Sequence, residues 1–111
     1  MKSFSLLLFA SLISGTAFAA SVTGNLVAGG GIDDMQIIVQ ATAGSKVDAY
    51  CAGKCGDWFE AEEGTEEFNL KKSIKGKKVV LEYAEEPNRG RIAGPGAKEK
   101  LLFVKKVRFL P

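Results

Sequence analysis

The 111-residue chain contains no histidine. That absence removes the Ser–His and Cys–His arrangements by which most hydrolytic nucleophiles are activated. Only two cysteines are present, and with no histidine beside them they fall short of a metal-ligand set. A Ser–Lys pair is formally available at Ser45-Lys46, or at Ser73 with its neighbouring lysines, but neighbours within a turn read as ordinary solvated residues. Carboxylates are plentiful, yet they crowd into one block, where mutual repulsion favours exposure over a tuned acid–base pair. The chain therefore reads as non-enzymatic, with no cofactor and no metal.

An excess of either charge is also missing. Fifteen basic residues face 13 acidic ones. A near-neutral protein exerts no general pull on nucleic acid or on an anionic membrane. The charges are nevertheless segregated. Residues 57–67 hold Asp57, Glu60, Glu62, Glu63, Glu66 and Glu67 without a base, and residues 71–78 hold five lysines without an acid. Solvated loops and strand faces of opposite sign account for this; a two-signed docking surface is the functional alternative. No internal repeat is visible.

Long apolar runs are absent after the N-terminus. The first 20 residues combine Lys2, a nearly continuous apolar stretch over 4–13, and Ala17-Phe18-Ala19. Together they have the form of a secretory signal peptide. The run is too short to cross about 30 Å of hydrocarbon. Cleavage is expected after Ala19 or Ala20, leaving residues 21–111 as a single exported domain, periplasmic or secreted. A domain of this size is near the lower limit for a core that holds without a covalent staple.

What is there is mostly strand and turn. Residues 21–29 alternate weakly, with Val22, Gly24, Leu26 and Ala28 on one parity, and Gly29-Gly30-Gly31 is expected to end that strand in a bulge or turn. Residues 35–42 alternate clearly, with Met35, Ile37, Val39 and Ala41 on one face. After the short turn Ala43-Gly44-Ser45, residues 46–51 resume with Val47, Ala49 and Cys51 inward, so the two segments should form an antiparallel hairpin. Asp57 could cap a short helical turn beginning at Trp58. Two later runs, Val79 to Tyr83 and Leu101 to Phe109, flank a segment rich in Gly, Pro and Asn, which is strand, loop and strand. Val79, Leu81 and Tyr83 share one face; Leu101, Phe103, Val107 and Phe109 share another parity and are expected in the core. Lys105, interrupting that parity, suggests a bulge.

Cys51 and Cys55 in an exported chain should form a disulfide, because three intervening residues let the chain turn back. The small loop places its entropic gain near the low end of about 2–4 kcal/mol. The enzymatic alternative is a thiol-disulfide redox centre at the same pair, although catalytic pairs normally have two intervening residues at a helix start.

Three strands, a connection carrying a short helix or loop, then two strands is the order of a five-stranded Greek-key barrel, and the lead-in Ile74-Lys75-Gly76-Lys77-Lys78-Val79 resembles the start of the fourth strand in small exported bacterial OB-fold proteins. The resemblance implies an all-β fold, an OB-like barrel, with an SH3-like barrel as the alternative architecture. It carries over no functional residue. Tyr50, Trp58 and Phe59 fall nearest the expected binding face. Arg89 and Arg91, among glycines, could cradle an anion or simply be solvated. Those aromatics lie beside acids, whereas stacking sites for nucleic acid need a positive groove, so nucleic acid is disfavoured. An envelope protein or oligosaccharide is the expected partner of a non-catalytic binding module; an inhibitor or immunity-type protein fits the same description.

Overall fold

Residues 19–111 are described by a computed structural model of the protein; most of the expected signal peptide, residues 1–18, lies outside them. The alternating patterns become strands as their periodicity requires. In order these are β1 (Ala19–Gly31), β2 (Gln36–Ala41), β3 (Lys46–Tyr50), β4 (Phe59–Ala61), β5 (Phe68–Leu70), β6 (Lys78–Pro87) and β7 (Lys100–Phe109). No helix occurs among the described residues, and so none there is long and apolar enough to cross a membrane.

The sheet runs β2-β3-β7-β6-β1-β5-β4, and β2 also pairs with β1, so β1, β2, β3, β7 and β6 close into a five-stranded barrel. All of the barrel's pairings are antiparallel except β3 with β7, which is parallel and rests on one pair, Tyr50 with Phe103. This is the OB-like strand order. The β2–β3 hairpin forms as its turn residues demand, with Ile37 opposite Ala49 and Val39 opposite Val47. Those side chains, with Leu26, Leu70, Val79, Leu81, Val104 and both cysteines, make the core.

Three expectations are corrected. First, the glycines of 29–31 form neither a bulge nor a turn; they are the last three paired residues of β1, and the strand's register shift lies earlier, between Leu26 and Ala28. At the glycines β5 takes over from β6 along one edge of β1 while β2 still pairs on the other at Gly30, and Gly30 and Gly31 have φ of 145° and 153°. A Cβ at Gly30 would collide with the carbonyl oxygen of Phe68, and one at Gly31 with that of Asp34. The backbones approach so closely that only glycine fits.

Second, residues 57–67 do not start a helix. Phe59 opens β4, and the connection between β3 and β6 is a β4–β5 hairpin, pairing Phe59 with Leu70 and Ala61 with Phe68. The overhanging end of β1 supplies the reason. Its backbone groups need partners, and β5 provides them at Gly30 and Gly31. The Thr65 hydroxyl closes the hairpin tip, donating to the Glu62 carbonyl and accepting from the Glu67 N–H.

Third, β7 does not keep one parity. The bulge expected at Lys105 is present: Glu82 pairs with Lys106 and Tyr83 with Val104, so Lys105 is extra. Val107 and Phe109 pack against the core, but beyond the bulge it is Leu102 and Val104 that do so. Phe103 and its neighbour across the strands, Ala84, are buried outside that core. Along β6, Val79, Leu81 and Tyr83 keep the expected face, Tyr83 being half-buried.

Candidate binding face

Cross-strand register assembles the outward face of the barrel row by row. Residues paired across strands point to the same side. Asn69 of β5 pairs with Gly30 of β1, Gly30 with Gln36 of β2, Gln36 with Tyr50 of β3, and Tyr50 with Phe103 of β7. One row thus crosses five strands. The row beside it runs from Ala28 through Ile38 to Asp48. The outer surface of strands two and three is where OB barrels carry oligonucleotides or oligosaccharides, flanked by the loops after strands one and four. Here those loops are 32–35 and 88–99, and they meet where the N–H of Ala93 donates to the Asp34 carboxylate at 3.3 Å.

The 88–99 loop is built on Asn88, which is fully buried at its base. Its Nδ2 donates to the carbonyl oxygens of Ile92 (2.9 Å) and Pro95 (3.0 Å), and its Oδ1 accepts from the N–H of Ile92 (2.7 Å). Every polar position of that amide but one lone pair is thereby used, as burial requires. The turn signal Pro87-Asn88-Arg89-Gly90 locates the loop in the sequence, but not the burial of Asn88.

The predicted site residues separate into groups. Tyr50 and Arg91 are brought together on Phe103: the Tyr50 ring lies 6.2 Å from it, and the Arg91 guanidinium stacks 3.6 Å above its centroid. Arg91 also donates to the carbonyl oxygens of Asn88 and Pro87 and to the Glu86 carboxylate. Its donors serve the loop. Glu86 is held from its other side by Lys105, at 2.8 Å. The Lys105 hydrogen bond, aided by that from Arg91 and opposed by partial burial, holds the Glu86 carboxyl below its ordinary range. Arg89 is exposed, and its φ of 53° places it in the left-handed region of the turn.

Trp58 and Phe59 lie elsewhere. Trp58 stacks on Phe109 at 4.8 Å, and both pack against the core. Phe59 lies over Gly29 beside Leu70. Among the described residues, the large apolar side chains that do stand exposed are Ile32 (53%) and Phe68 (39%). Nothing in the local pattern around Phe68 marks it as exposed, because exposure follows from where the hairpin docks.

Asp48 is the charged group in the middle rows of the face. Partial burial raises its carboxyl above the ordinary value. Lys46 is the only base on β3. The face is therefore amide-rich and mixed, not positive.

Cys51 and Cys55 form the expected disulfide, and each is only 4% exposed within the core cluster. It pins the end of β3 to the start of the hairpin segment. Among the described residues, no group of three or more metal-ligating side chains occurs.

Fold and face together define an OB-like, all-β barrel with an amide-lined outer surface. Comparison of the chain with protein-family models, with curated proteins and with solved structures found no match. The class thus rests on strand order and register.

Proposed function

We propose that the protein is an exported, non-catalytic binding module that recognises an envelope protein or glycan through the outer face of β1, β2 and β3. The observation that carries this reading is the row Asn69–Gly30–Gln36–Tyr50, which lays amides and an aromatic ring across four strands. Such a surface suits a neutral or polar ligand, and it lacks the run of bases that a nucleic-acid strand needs. A buried disulfide is at home in an oxidising compartment, which supports a periplasmic or secreted location. Inhibitor and immunity-type proteins share this physical description.

The redox alternative, with Cys51 and Cys55 as an exchanging pair, asks for a sulfur that a thiolate can reach. Their burial counts against it. A measured reduction potential below about −300 mV marks a structural bridge, and a value near that of disulfide oxidants would overturn the non-catalytic reading.

The binding reading is tested with purified sacculi and, separately, solubilised envelope proteins, each offered to the processed protein and to an Ile38→Glu, Gln40→Glu variant. Retention on one of the two by the parent protein alone is expected. Retention on neither, or equal retention of the variant, would sink the reading. Reversing the acids of 57–67 separates a second surface from this one: a basic partner docking there would associate more slowly and with weaker salt dependence.

A further inference from the structure

We propose that the trough where β1, β2 and β5 meet is a carbohydrate subsite that seats one ring of a neutral oligosaccharide. This rests on the outer face being the ligand-binding face, and it assigns the ligand class.

The trough has a volume of about 240 Å³. Its floor is Gly29–Gly31, whose lack of side chains is imposed by the close backbone approach of Gln36 at Gly29, Phe68 at Gly30 and Asp34 at Gly31. A ring can therefore lie directly on peptide backbone. Ile38 and Ala28, which share the outward face with Gln36, supply the apolar wall, and Phe68 closes the floor with its backbone carbonyl beside Gly30. Gln36 and Asn69 supply the polar rim. Among the described residues the half-buried Gln36 amide forms no hydrogen bond. Asn69 spends its Nδ2 on Glu62, which leaves its amide oxygen as an acceptor. A ligand that satisfies all of these has a C–H face for the wall and hydroxyls for the amides, which is the surface of a pyranose.

Other ligand classes fit worse. A peptide strand cannot add here, because β1 is already paired on both sides, with Ile37 and Gln36 of β2 and with Asn69 and Phe68 of β5. A phosphate or other anion meets no base in the lining, and it meets Glu67. The volume is below the roughly 300–1,000 Å³ of pockets for drug-sized molecules, which suits a single ring. The rest of the chain would run along Gln36 towards Tyr50, the next positions in the same row.

The test is titration of the ¹⁵N-labelled processed protein with maltotetraose and with chitotetraose at millimolar concentrations. Saturable shifts at residues 29–31, at the Gln36 side-chain amide and at Ile38 are expected with at least one of them. Ile38→Ala and Gln36→Ala should each raise Kd about tenfold, the effect of about 1.4 kcal/mol. Both positions lie outside the core, and unchanged thermal unfolding checks that the barrel is intact. Absence of shifts in the trough with both sugars overturns the subsite. So does binding that Tyr50→Ala abolishes while Ile38→Ala and Gln36→Ala leave it unchanged, although that result would uphold the binding face itself. Shifts confined to residues outside β1, β2, β3 and β5 would overturn both.

Discussion

Truncating Phe103 should loosen the 88–99 loop as well as lower global stability. The side chain is 1% exposed, but it lies on the outside of the barrel, between Tyr50 and the Arg91 guanidinium. Phe→Ala in a buried site costs about 3–5 kcal/mol. The roof over this site is loop, not strand, so it can settle into the vacated volume, and the lower end, about 3 kcal/mol, is expected. That is a large share of the 5–15 kcal/mol typical of a whole domain. Removing the ring also ends the stacking of Arg91, an interaction worth about 1 kcal/mol when partly desolvated. A double-mutant cycle of Phe103→Ala with Arg91→Ala should return a coupling of about that size. The measurement is urea unfolding followed by Trp58 fluorescence with the disulfide intact, together with amide exchange of Arg91 and Ile92. Lys106→Ala and Arg108→Ala, at exposed positions of the same strand, should stay within about 0.5 kcal/mol of the parent. The reasoning is refuted if Phe103→Ala is as stable as Arg108→Ala, or if the loop amides keep full protection despite the loss.

Removing the disulfide as Cys51→Ala, Cys55→Ala should cost about 2 kcal/mol, the chain-entropy value for so short a loop, read as a drop in urea midpoint; a rise would mean the bridge strains the barrel. The carboxylates give opposite pH signatures. Glu86 has a lowered folded pKa, so its stabilisation is present above its unfolded value and is lost as the pH falls through the folded one; Glu86→Gln should flatten the acid limb of stability against pH. Asp48 has a raised folded pKa, so its ionisation opposes folding as the pH rises past its unfolded value; Asp48→Asn should raise the unfolding midpoint at neutral pH, and an unchanged midpoint would deny the desolvation. Gly24→Ala should destabilise well beyond the few tenths to 1 kcal/mol of ordinary glycine effects, because the new Cβ would strike the backbone of Gln40 and Ala41; a folded variant with a parental melting temperature would show that the barrel closure is looser than described.

Alternation by itself determined the five strands of the barrel and most of their inward faces. Ile37, Val39, Val47, Ala49, Val79 and Leu81 were legible because a half-buried strand repeats every second residue, and all six are core. Cysteine spacing likewise determined the Cys51–Cys55 bridge. The lysine that broke the pattern of β7 located its bulge, but local pattern could not say on which side of the bulge the parity changes. That is why Phe103 moved from the interior to the outer surface.

Tertiary structure alone decided the rest. The glycines of 29–31 read as a bulge or turn in isolation; they stay in β1 because β2 pairs with Gly29 and Gly30 and β5 with Gly30 and Gly31. Residues 57–67 carry a weak helical cue that yields to the open edge of β1, since backbone groups left unpaired in a sheet cost more than a local propensity can offset. The proposed binding face was invisible for the same reason. Asn69, Gly30, Gln36 and Tyr50 are distant in sequence, and it is barrel closure, a long-range property of register, that sets them side by side.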